Sequence, residues 1–314
     1  MVGVALSAAA VVRRVPLDLA GATIPLVGAS PILPTGALLG MRLAFASVIA
    51  VSLCSSLASR TAHQFRLMTY PGSRLAPKVL SNRGLQRLTT FTVQCWALQL
   101  FYFGCAAVAS ALHLAGVATP DGAALRAALR AVHIAFEVCF VTSLVVTAVV
   151  TFVLLPERRR RGDADGFARM LGWRPQLMHN ANLAFMATEL LVSSMPMCGA
   201  HAVFSMLFGL QYLLGSWWWL QRTGVVYYPF IDPTLPPRQS IRFHTALLAV
   251  FGAFFALGAA VARAATVLPL AVRAPLLYLA AASIMWTTLL PIPGRPATIG
   301  LRHLSGGADD GGSE

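Results

Sequence analysis

The amino-acid sequence predicts an all-α protein, a polytopic transmembrane bundle of six to seven helices. Three observations predict it. Of 314 residues, 57% are hydrophobic and 11% charged, with a mean hydropathy of +0.70, whereas a soluble domain carries roughly 25% charged residues. The apolar residues gather in continuous stretches near the ~20 residues that a helix needs to cross the hydrocarbon core, and they do not alternate as barrel strands do. Finally, the basic residues fall in every second connection. Residues 59–87, 156–175 and 222–242 hold fifteen Lys and Arg between them, against three in the intervening loops. That asymmetry assigns the basic loops to the cytoplasm.

Taken in order, residues 1–35 form a mildly apolar extension broken by Arg13, Arg14, Asp18 and several prolines. It lacks the Arg- and Ser-rich pattern of a mitochondrial presequence, so the endoplasmic reticulum or plasma membrane is expected instead. Residues 36–293 form the transmembrane domain. Spans are expected at 36–58, 88–116, 129–155, 175–196, 199–221 and 243–262, with a weaker seventh at 275–290. Residues 294–314 read as a polar, disordered tail. The net charge of +13 would suggest nucleic acid in a soluble protein. Here the basic residues flank apolar spans, where they meet anionic headgroups, so membrane lipids and not nucleic acid are the expected partners. Cys54, Cys95, Cys105, Cys139 and Cys198 have no CxxC spacing and read as packing residues.

Three polar groups inside or beside the spans invite chemistry, because a polar side chain in hydrocarbon is costly. The second span carries Thr92, Trp96, Gln99 and Phe103 at steps of four, three and four, on one stripe. The fourth carries His179, Asn182, Met186 and Glu189 at steps of three, four and three, again on one face. Imidazole titrates near neutrality, which suits it to accept a proton; a hydrogen-bonded cluster holding helices together explains the same face equally well. The loop after the fifth span holds Tyr228, downstream of Trp217, Trp218 and Trp219, in the place of an interfacial aromatic belt. Even-numbered spans enter from the same side. Thr92 and His179 therefore lie within about one to two turns of one surface, and the Tyr228 loop emerges there too.

Metal chemistry is not expected. His133 and Glu137 share a helix face, but a single such pair reads as a polar contact, and HxxH and HExxH spacings are missing. Walker, GxSxG and dinucleotide motifs are missing as well, so no cofactor is expected.

At these same segments the chain resembles the androgen-induced family of multi-span membrane proteins, transmembrane threonine hydrolases that cleave fatty acid esters of hydroxy fatty acids. Three blocks in family order carry the resemblance: Thr92 with Gln99 and Phe103-Gly104; Met178-His179 ten residues before Glu189; and TGVVYYPFID, with Thr223, Gly224, Tyr228, Pro229, Phe230 and Asp232. It covers residues 85–262. Members of the family often have a second His where this chain has Gln176. The resemblance implies that Thr92 is the nucleophile and His179 its general base, with an acyl-threonine intermediate and a lipid ester as substrate. A base is needed because a free hydroxyl is a weak nucleophile. Asn182 and Tyr228 are alternative oxyanion donors, and Gln99 and Glu189 complete the candidate substrate-binding set. Thr89 and Thr90 offer rival hydroxyls. Two other readings stand beside this one: an acyltransferase using the same intermediate, and a non-enzymatic lipid transporter or signalling protein.

Overall fold

A computed structural model describes residues 22–59, 63–76, 78–117, 122–267 and 269–285. Most of the expected N-terminal extension, the polar tail and the last residues of the weak seventh span lie outside them. Of the described residues, 79% are helical. In chain order the helices are α1 (Ile24–Gly28), α2 (Thr35–Ala58), α3 (Phe91–Leu114), α4 (Ala123–Arg160), α5 (Ala164–Met170), α6 (Asn182–Val192), α7 (Ala202–Thr223), α8 (Pro237–Val267) and α9 (Leu270–Met285). Among the described residues, α2, α3, α4 and the Pro237–Ala264 part of α8 are long and apolar enough to cross a membrane.

Two of the expected spans take a less apolar form. Residues 173–192 are helical throughout, but through a π-helical turn, Leu177–Ala181, that leads into α6. Arg174, Gln176, His179, Asn180, Asn182 and Glu189 dilute the apolar character of this stretch. Likewise α7 is 22 residues long but carries Gln211, Gln221 and Arg222. The loop expected at 59–87 contains a two-stranded antiparallel hairpin, β1 (His63–Arg66) with β2 (Val79–Asn82), pairing Phe65 with Leu80. A 3-10 turn, Gly84–Thr89, then feeds α3.

The centre of the bundle is α4, whose residues from Ala135 to Thr147 are all buried. It packs against α3, α6, α7 and α8, and therefore has no face left for lipid at that depth. The outer helices bury one stripe and expose the other. In α2, Leu38, Arg42, Ile49, Ser52, Leu53 and Ser56 point inward while Leu43, Val48 and Val51 face out. Outward aliphatic side chains are the normal surface of a helix solvated by acyl chains. Close packing of α8 on α4 depends on Gly258, where a β-carbon would stand 2.7 Å from Phe140 Cε1 and 2.5 Å from Met197 Sδ. All five cysteines are free.

A charged residue of α2 faces the interior. Arg42 is 0% exposed and forms an ion pair with Glu189, 147 residues away, through Nε at 3.1 Å and a closer Nη2 contact. Its Nη1 donates to Val27 O at 2.8 Å and to Ser110 Oγ at 2.7 Å. The Tyr102 hydroxyl donates to Glu189 at 2.8 Å. These bonds link α1, α2, α3 and α6 at the core. A buried charge persists only when paired and hydrogen-bonded in this way.

Candidate active site

The cleft that contains Thr92 is built where α3 begins and α7 ends. Its walls are Phe91 and Thr92 from α3, Val145, Val146, Val149, Val150 and Leu154 from α4, Gly209 and Tyr212 from α7, and the loop residues Tyr228, Phe230 and Ile231. Leu247 and Phe251 of α8 close it around a cavity of about 40 Å³. Nearly every lining group is apolar. The exceptions are the hydroxyls of Thr92, Tyr212 and Tyr228, with the Tyr212 and Tyr228 rings 6.0 Å apart.

Local sequence explains how Tyr228 reaches Thr92. Gly224, at φ 68°, caps α7 in the left-handed region, which a residue without a β-carbon adopts at no steric cost. The chain thus turns back over the end of its own helix. Asp232 then pins the loop. Its carboxylate accepts from Ser73 Oγ at 2.5 Å and from the Thr234 backbone and hydroxyl at 2.8 Å each, while Trp217 Nε1 donates to Ile231 O at 2.9 Å. Burial pushes the Tyr228 phenol up to about 12, with the neighbouring Thr92 hydroxyl working the other way. At neutral pH the phenol is therefore protonated and able to donate.

The rival hydroxyls are engaged elsewhere. Thr89 Oγ1 donates to Gln86 O and shares a 2.6 Å hydrogen bond with the Tyr227 hydroxyl, and Thr90 Oγ1 donates to Arg87 O at 2.9 Å. Of the three neighbouring threonines, Thr92 alone lines the cleft.

His179 sits in the π-helical turn Leu177–Ala181, which packs against both α3 and α4. Thr147 of α4 donates to the His179 carbonyl at 2.5 Å, and a side chain inserted into the backbone ladder in this way distorts a helix. A second π turn, Val150–Leu154, lines the cleft itself. There Pro156 lacks an N–H and its ring would crowd the carbonyl four residues back in a regular α-helix. Single π turns are frequent at functional sites. His179 Nδ1 is buried without a hydrogen-bond partner among the described residues. His179 is not among the cleft-lining residues, and no hydrogen bond joins it to Thr92.

The other candidates lie apart from the cleft. Asn182 is 1% exposed, and its Oδ1 accepts from Thr147 at 3.3 Å and from the Leu183 N–H at 2.6 Å. Glu189, expected on the substrate-binding face, is instead the partner of Arg42. Gln99 is 0% exposed with neither amide atom hydrogen-bonded among the described residues. No protein-family model, curated protein or solved structure matches this chain.

Two residues that the motif reading passed over prove central. Arg42 was detectable as a charge inside an apolar span. His201 joins His133 and Glu137 in one buried cluster, so the pair is more than a contact within one helix; nothing in local spacing linked it to residues on α4.

Proposed function

We propose that the protein is a membrane-embedded threonine hydrolase of lipid esters, with six or seven spans, cytoplasmic basic loops and residence in the endoplasmic reticulum or plasma membrane. This reading joins the family resemblance to one observation: Thr92 lines an apolar cleft together with a protonated Tyr228. Such walls suit an acyl chain that parts them on entering, since apolar surface leaving water gains about 25 cal/mol per Å².

In the proposed reaction Thr92 Oγ attacks the ester carbonyl while His179 takes the hydroxyl proton. The tetrahedral oxyanion accepts a hydrogen bond from Tyr228, which stands beside Thr92, in preference to Asn182, whose carbonyl oxygen is turned to Thr147. His179 returns the proton to the departing alkoxide, and water then hydrolyses the acyl-threonine by the same path. Catalytic hydrogen bonds often form only once substrate is seated. The reading accordingly requires the imidazole to turn from its buried position toward Thr92.

The test is labelling of the solubilised protein by a fluorophosphonate probe together with turnover of a fatty acid ester of a hydroxy fatty acid. Thr92→Ala is expected to abolish both, and His179→Ala to lower turnover by about 10²- to 10⁴-fold with the protein still in the membrane fraction. Thr92→Ala at the wild-type rate would refute the hydrolase and leave a non-enzymatic lipid-binding bundle.

A further inference from the structure

We propose that His133, Glu137 and His201 form a binding site for a single zinc-class divalent cation, remote from the Thr92 cleft. The site is built from two elements. His133 and Glu137 stand one turn apart on α4 and share its face. His201 ends the 3-10 turn Gly199–His201 that opens α7. One ligand atom from each residue lies within 4.8 Å of the other two, and the two imidazole rings meet edge to face at 5.6 Å. Glu137 and Val145, the nearest cleft residue on the same helix, are separated by roughly 12 Å at 1.5 Å per residue.

The cluster is enclosed, with its polar atoms crowded together. The three residues are 2%, 0% and 1% exposed. Glu137 Oε1 accepts from the Cys198 N–H at 2.5 Å, and Oε2 meets His201 Nδ1. His133 Nε2 lies 2.7 Å from Pro196 O and 3.9 Å from Glu137 Oε1. Each ring nevertheless leaves one nitrogen, His133 Nδ1 and His201 Nε2, without a partner among the described residues. An unmade hydrogen bond of this kind costs about 1–3 kcal/mol.

Donor chemistry selects the ion. Two imidazoles with one carboxylate match zinc, which binds nitrogen and carboxylate oxygen at about 2.0–2.2 Å, whereas magnesium and calcium prefer all-oxygen sites. A divalent ion also balances the Glu137 carboxylate without requiring a protonated histidine. The Pro196 carbonyl accepts the N–H of His133 Nε2, which leaves the lone pair of a neutral ring on Nδ1. Since all three ligands are buried, the ion has no route to substrate and acts structurally, tying the connection between α6 and α7 to the central helix.

The experiment uses the full chain in detergent, purified through a tag that binds no metal. Elemental analysis is expected to find about one zinc per chain. After chelation, added Zn2+ should raise the unfolding temperature and Mg2+ should not, and Co2+ should give the visible absorption of a four-coordinate site. His133→Ala, which leaves the Glu137–His201 contact in place, should reduce bound metal at least tenfold. Wild-type protein that holds under a tenth of an equivalent and shows neither a Zn2+ shift nor a Co2+ spectrum would overturn the proposal and leave a hydrogen-bonded cluster. That readout does not depend on any variant folding.

Discussion

Replacing Arg42 by Met tests the account of the core most directly. Met approximates the length of the side chain but removes the charge and all of its donors. In the wild type those donors serve Glu189, Val27 O, Ala106 O and Ser110 Oγ. The variant leaves Glu189 buried, with the Tyr102 hydroxyl as its remaining donor. Stranding one partner of a buried pair costs about 3–5 kcal/mol, because the desolvation of the surviving charge is no longer offset. At roughly 2–4 °C per kcal/mol for a chain of this size class, the unfolding temperature should fall by about 10 °C. The cost belongs to the stranded carboxylate, so Arg42→Met combined with Glu189→Gln should recover at least half of the loss. The assay is thermal unfolding in one detergent at one scan rate, since unfolding of membrane proteins is commonly irreversible and therefore rate-dependent. Arg42→Met melting with the wild type, or a double variant less stable than the single one, would refute the reasoning.

The remaining predictions concern the cleft and its surroundings. Tyr228→Phe keeps the ring against Tyr212 and Phe230 but removes the hydroxyl; loss of an oxyanion donor should lower ester turnover about 10²- to 10³-fold, and an unchanged rate would remove that role. Gln99→Met relieves a buried amide that has no partner among the described residues, so it should stabilise the protein by about 1 kcal/mol with turnover retained; lower stability in the unfolding assay would show that the amide is in use. At Asp163, burial acts to raise the carboxyl, but the Gly166 N–H and the Arg158 guanidinium outweigh it and hold the group below the ordinary aspartate range. A depressed carboxyl adds stability that is present above its unfolded value and is lost as pH falls through the folded one. Asp163→Ala should therefore cost about 1 kcal/mol at neutral pH, chiefly through the lost helix cap, and the difference from wild type should vanish well below about pH 4. Hydrogen exchange in residues 156–175, measured against pH, checks this.

The positions of the helices were largely legible. Continuous apolar runs located α2, α3, α4 and α8 to within several residues, because hydrocarbon solvent requires that every backbone group be paired within the segment. Helix ends were less so. The expected third span began at residue 129, yet α4 starts at Ala123 and runs on to Arg160, since a helix ending in water is set by caps and turns and not by hydropathy. The hairpin in residues 63–82 escaped notice because its pairing is made across a loop and its composition is mixed.

In the candidate site, the prediction that Thr92 and the Tyr228 loop share one surface agrees with their common place in the cleft wall. Alternation of span direction was sufficient for that. It was not sufficient for His179, which occupies a neighbouring turn outside the cleft wall, nor for Asn182 and Glu189, whose shared face meets Thr147 and Arg42. Helical periodicity states which residues point the same way; it does not state at what.

By itself, then, the sequence determined the helical class, the side of the bundle on which Thr92 emerges and the residues that share each face, because these follow from hydropathy, charge and a repeat of 3.6 residues. Only the tertiary structure decided which partners those faces meet. The Arg42–Glu189 pair spans 147 residues, and the contact from His201 to Glu137 spans 64. Such pairs form because burying an ionised or polar group is costly until another segment satisfies it, and the choice of that segment is settled by how the helices pack.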